Sequence, residues 1–124
     1  MIPASAVAHQ PPESGVDPVK EPPVNEIVRK IAEAFHPRRI LLFGSRARGE
    51  AGTDSDLDIA VEMETDLTPL ERKMAVDRLF GLRDWAMDVV VYTPGEMERL
   101  KDVNGTLAHV VAREGKVLYE APAI

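Results

Sequence analysis

Apolar residues recur at helical spacing from Val24 to Phe35, at Val24, Ile27, Val28, Ile31 and Phe35. This period marks one face of an amphipathic helix. Asn25 reads as an early cap or as part of the first turn. Pro37 ends the helix, because proline disfavours helical geometry at the preceding residue, His36. The pattern then changes. Residues 39–43, Arg-Ile-Leu-Leu-Phe, form a short run without polar alternation, which suits a strand covered on both faces. Residues 56–62 alternate: Asp56, Asp58 and Ala60 point one way, and Leu57, Ile59 and Val61 the other.

Thr68-Pro69-Leu70-Glu71 is a capping box with proline at the first helical position. The spacing predicts a helix to about Phe80, ended by Gly81. Leu70 and Met74 sit at helical spacing within it and read as core. A third strand is expected over 85–92, with Asp88, Val90 and Tyr92 on one face and Met87, Val89 and Val91 on the other. Thr93-Pro94-Gly95-Glu96 repeats the capping box and starts a short helix to about Lys101. Asn104 is expected to cap a further helix ending near Gly115, and 116–119 reads as a last strand. The order is helix, strand, strand, helix, strand, helix, helix, strand. That is a small α/β (α+β) domain, a mixed sheet with helices packed on one side.

Residues 1–23 break this regularity. They hold six of the ten prolines and no periodic pattern. Such sequence buries too little apolar area to offset its ordering entropy, so a disordered tail over 1–23 and a domain over 24–120 are expected. At 124 residues and 44% hydrophobic content, the chain suffices for one domain with a real core. It contains no cysteine, which excludes disulfides and thiolate metal sites and fits a reducing cytoplasm. No apolar run approaches a membrane span. The N-terminus lacks the pattern of a secretory signal.

Net charge is −6, which argues against a protein that coats a nucleic-acid backbone. Basic residues nevertheless gather in sequence around a Gly-Ser turn: Arg29, Lys30, Arg38, Arg39, Arg46 and Arg48. Such a patch can receive a polyphosphate, although Arg29 and Lys30 read as ordinary surface charge.

The chemistry concentrates between Gly44 and Asp58. Gly44 leaves the first strand directly, and glycine permits positive φ and close backbone approach. Ser45 can then start a helical turn whose N–H groups face a phosphate. Arg46 and Arg48 add charge there or are plain surface. Gly44 and Gly49 have the spacing of a Walker loop, but Glu50-Ala51 stands where Lys-Ser/Thr is required. Asp56 and Asp58, two apart on a strand, place both carboxylates on one face with Cα atoms roughly 6.5–7 Å apart. Asp88 has the position and facing to add a third. Aspartate is disfavoured in strands, so three of them beside Val, Ile and Leu need a reason. Hard carboxylates favour Mg²⁺ or Mn²⁺, and two-metal sites clamp attacking and leaving oxygens. Phosphate cradle and carboxylates together suggest metal-dependent nucleotidyl transfer. Elsewhere the signals are weak. His36 and His109 read as structural or surface residues, and Glu62, Glu64 and Asp66 as a solvated strand exit. Asp54 reads as shaping its loop, capping locally or supporting the metal ligands from behind, and Gly49 and Gly52 as serving loop geometry.

Three segments carry a family resemblance: Leu42-Phe43-Gly44-Ser45-Arg46-Ala47-Arg48-Gly49, Asp54-Ser55-Asp56-Leu57-Asp58-Ile59-Ala60-Val61 and Asp88-Val89-Val90. In these the chain resembles the minimal nucleotidyltransferases of the DNA polymerase beta superfamily, over about residues 24–119. The resemblance implies that Asp56, Asp58 and Asp88 ligate two Mg²⁺ ions, with Asp88 also activating the acceptor hydroxyl. It implies that Gly44 and Ser45 hold the β- and γ-phosphates of a nucleoside triphosphate, ATP being the family default, with Arg46 and Arg48 beside them. An acceptor oxygen would attack the α-phosphorus and pyrophosphate would leave.

The resemblance extends to antitoxins of two-gene toxin–antitoxin modules. Their partner is a helical HEPN-domain ribonuclease, in hetero-oligomeric complex, and they can attach AMP to a tyrosine of that toxin. The small size fits an acceptor delivered by another protein. The alternatives are an antitoxin that neutralises by contact alone and a transferase for a small-molecule hydroxyl. The first is separated by Asp-to-Asn changes at 56 and 58, the second by self-association with a shared acceptor pocket.

Overall fold

The computed structural model describes residues 22–50 and 56–122. Its elements are α1 (Val24–Phe35), β1 (Arg39–Phe43), α2 (Ser45–Arg48), β2 (Leu57–Glu62), α3 (Pro69–Asp77), β3 (Met87–Tyr92), α4 (Pro94–Leu100), α5 (Leu107–Glu114) and β4 (Lys116–Glu120). The strands form one sheet in the order β3-β2-β1-β4. β1 runs antiparallel to both β2 and β4, and β2 runs parallel to β3. The mixed sheet expected from the sequence is therefore present. The tail expected over 1–23 lies outside the described residues except for Pro22, which is buried, and Pro23, which caps α1.

The helices cover both faces of the sheet, not one as the sequence pattern suggested. Ile27 and Ile31 of α1 and Val76 of α3 pack on Ile40, Leu57, Ile59, Val61, Val89 and Val91. On the opposite face Met97 of α4 and Ala108 and Val111 of α5 pack on Leu41, Phe43 and Ala60. The reason is visible in β1 and β2. Ile40 and Leu41 are both buried, and so are Ile59 and Ala60. Successive buried residues on a strand require cover on each side.

Both capping boxes form. The Thr68 hydroxyl accepts from the Glu71 N–H, and the Glu71 carboxylate accepts from the Thr68 N–H. Thr93 and Glu96 do the same. Asn25 lies inside the first turn of α1, and His36 adopts left-handed geometry (φ 50°) ahead of Pro37.

Several local expectations are corrected. α3 stops at Asp77, and single turns carry the chain on to Phe80. β3 starts at Met87, because Trp85 turns to pack edge-on against Phe80 at 5.8 Å. The cap of α5 is Thr106, not Asn104. Gly105 takes φ 89°, so the chain turns before the helix starts, and the Thr106 hydroxyl accepts from the His109 N–H. Leu70 and Met74 are exposed, at 66% and 47%, while Arg72 between them is buried. α3 thus buries Arg72 beside Val76 and turns Leu70 and Met74 outward.

That inversion has a polar cause. Arg72 forms a two-armed pair with Glu96 of α4, at 2.8 and 3.2 Å. It also donates to Leu67 O at 2.8 Å and to Val91 O at 3.3 Å. Val91 lies on β3, which ends the sheet, so Arg72 satisfies part of an open edge. Glu62, expected at a solvated strand exit, is buried and pairs with Arg39 at 2.7 Å across the β1–β2 register. Glu64 and Asp66 are exposed as expected.

Candidate functional site

The β1–β2–β3 register brings the candidate residues together. Phe43 stands opposite Asp58 across the antiparallel pair, and Asp58 stands opposite Asp88 across the parallel one. The alternation places Asp58 and Asp88 on the same face as Ala60, Val90 and Tyr92. The last three lie against α4 and α5. Asp58 and Asp88, one step nearer the strand starts, emerge beyond that cover, half-buried and exposed respectively. Asp56, just before β2, is exposed at the mouth.

Gly44 is required here twice over. Its φ of 77° and ψ of −159° lie where only glycine is at ease. A methyl group on its Cα would also overlap Asp58 Oδ2. The backbone leaving β1 therefore lies against the Asp58 carboxylate. Ser45 then opens α2, one helical turn held by Ala47 N–H to Gly44 O and closed by Gly49 at φ 75°. The first N–H groups of such a turn lack partners within the helix.

Electrostatics mark the same spot. The Asp58 carboxyl is pushed above its ordinary value, first by burial, then by the Asp88 and Asp56 charges, with Arg48 opposing. Asp88 accepts from Lys73 Nζ at 3.2 Å, a side chain that reaches the sheet edge from α3. Arg48 is held by Glu50 at 2.9 Å and by Glu114 of α5 at 3.1 Å. These two carboxylates raise its affinity for its proton. Arg46 is half-buried on α2. Burial pushes the Tyr92 phenol up, and Glu96 adds to it.

Among the described residues no three acidic or histidine side chains close into a ready metal cage. Asp88 leans to Lys73 instead. The donor set still fits a hard divalent cation. It is all carboxylate oxygen, it is partly desolvated, and its charges repel one another. Asp56, Asp58 and Asp88 would hold the ion. Asp54 and Gly52 lie outside the described residues. His109 is structural, as expected: its Nδ1 lies 2.8 Å from Lys101 O and donates to it. Lys73 was missed by the sequence reading. Its only signal is that the helix joining two parallel strands must pack beside the second one.

The family model described as polymerase beta nucleotidyltransferase matches residues 25–123. The chain belongs to that family. Two relatives carry the name protein adenylyltransferase MntA. The one from Aphanizomenon flos-aquae is 30% identical over 105 residues, covering 77% of this chain and 65% of its own. The one from Thermococcus cleftensis is 41% identical over 58 residues, covering 44% of this chain and 59% of its own. The matched part thus spans just under two thirds of these relatives' length. Among solved structures, a toxin–antitoxin complex with AMP-PNP superposes with a TM-score of 0.59 at 24% identity. That match covers 81% of this chain and 75% of the other, and the two share a fold. Among the described residues no helix is long and apolar enough to cross a membrane.

Proposed function

We propose that the protein is an adenylyltransferase antitoxin. It transfers AMP from ATP to a hydroxyl, a tyrosine of a partner HEPN-domain toxin, at the Asp56, Asp58 and Asp88 carboxylates. The observation that carries this reading is the facing of Asp58 and Asp88 across β2 and β3 directly beside the Gly44–Ser45 turn. Membership of the nucleotidyltransferase family supports the reaction class. The name of the two adenylyltransferase relatives supports AMP as the group moved.

The chain's own residues divide the work. Gly44 brings the backbone against Asp58, so a nucleotide held at the Ser45 turn has its phosphates beside the carboxylates. The α2 turn offers N–H groups to the β- and γ-phosphates, and Arg46 adds positive charge on that turn. Arg48 is braced by Glu50 and Glu114, so it acts more by its field than as a direct ligand. Bound Mg²⁺ or Mn²⁺ would neutralise the developing charge on the transferred phosphoryl group. Asp88, exposed at the sheet edge, takes the acceptor hydroxyl's proton. The acceptor oxygen bonds to the α-phosphorus, the bond from that phosphorus to the bridging oxygen breaks, and pyrophosphate carries away the electron pair.

The test is transfer from α-phosphate-labelled ATP, with Mg²⁺, in a lysate of the native host. One labelled protein band, absent with Asp56→Asn/Asp58→Asn, is the expected result. Label confined to small molecules would overturn the protein acceptor. Equal label from wild type and variant would overturn the site.

A further inference from the structure

Lys73 lies on α3, on the face of the sheet opposite the candidate site. β3 is the last strand, so the side chain passes round the sheet edge and meets Asp88 Oδ1 at 3.2 Å. A second carboxylate waits on the lysine's own helix: Asp77 Oδ2 is 3.6 Å from the same Nζ. Lys73 is about two-fifths exposed and Asp88 about two-thirds exposed, so this contact is not locked by packing. Asp58 stands directly across the register from Asp88, so the two carboxylates repel one another.

An ammonium and a divalent cation compete for the same carboxylate oxygen. From this geometry we infer that Lys73 holds Asp88 in the resting protein as a competitor of the cation. It yields Asp88 to the incoming cation and falls back on Asp77, one helical turn away. The device keeps mutually repelling acids tolerable until a cation arrives, at the cost of weaker cation affinity. The inference rests on the reading of Asp56, Asp58 and Asp88 as cation ligands.

Mn²⁺ binding without nucleotide tests it, with free Mn²⁺ followed by electron paramagnetic resonance. Lys73→Met and Lys73→Gln should each bind Mn²⁺ about two- to fivefold more tightly than wild type, the scale of an exposed ion pair. Lys101→Met is the control for net charge, since Lys101 pairs with Glu98 at 3.2 Å away from the site; its affinity should stay at the wild-type value. Unchanged affinity in both Lys73 variants overturns the proposal. So does weaker affinity, which would make the lysine an orienter of Asp88. Equal tightening by Lys101→Met also overturns it. Wild-type Mn²⁺ uptake that survives Asp58→Asn would instead overturn the ligand reading beneath it, and the proposal with it.

Discussion

The two ends of β3 handle charge in opposite ways. At the far end the buried charges are paired. Arg72 grips Glu96 with two arms and takes two backbone carbonyls, and Glu96 also caps α4. The near end is strained. Asp88 faces Asp58 with Asp56 close by, and the Asp58 carboxyl is driven up by burial and by its neighbours' charges. The first arrangement stabilises the domain. The second costs stability unless a cation joins it. A fold that keeps such a cluster on its sheet is holding it for something that binds.

The largest expected effect breaks the balanced end. Arg72→Met leaves Glu96 and Val91 O without their partner, and losing one member of a largely buried pair costs about 3 kcal/mol. For a domain of this size the melting temperature should fall by about 10–20 °C in a calorimetric scan. A drop of only a degree or two would mean that the pair is ornamental.

Two glycines sharpen the comparison next. Gly44 and Gly49 both have positive φ, but a Cβ at Gly49 meets nothing, whereas at Gly44 it meets Asp58. Gly49→Ala should cost about 1 kcal/mol of stability and leave transfer rates near wild type. Gly44→Ala should cost at least about a hundredfold in AMP transfer, the scale of a displaced catalytic group. Equal activities in the two variants would detach Gly44 from the site.

A smaller effect is the pH dependence of the balanced end. The Glu96 carboxyl lies below its ordinary value, chiefly through its hydrogen bond from Arg72. A lowered folded value contributes stability above the unfolded value, and that stability is lost as pH falls through the folded value. Urea midpoints should therefore drop as acid carries the protein below the ordinary carboxylate range, and Glu96→Gln should flatten that drop. Asp58 has the opposite sign. Its raised value makes the folded protein lose stability as pH rises from the ordinary carboxylate value towards the folded one.

Much of this was legible in the sequence because local chemistry dictated it. The Thr68–Glu71 and Thr93–Glu96 boxes specify their helices within four residues. Alternation along 57–62 and 87–92 fixed which side Asp58 and Asp88 take. What escaped depends on contacts between distant residues. Leu70 and Met74 have core spacing, yet α3 turns Arg72 inward, and its partner Glu96 lies 24 residues on. Glu62 looked solvated until β1 placed Arg39 opposite it. Asn104 and Thr106 are both good caps, and only the turn at Gly105 chooses between them. The pairing of Lys73 with Asp88 needed the sheet order, because only at an edge strand can a side chain come round from the other face.

The measurement that bears most directly on the strained end is a pair of melting curves at neutral pH, with and without Mg²⁺ and ATP, for wild type and Asp58→Asn. Without ligand the variant should melt higher, because the change removes a charge that burial and two acids oppose. With Mg²⁺ and ATP the wild type should rise and the variant should not. A variant that melts lower without ligand, or rises as much as wild type with it, would contradict the assignment of these carboxylates to a cation and nucleotide.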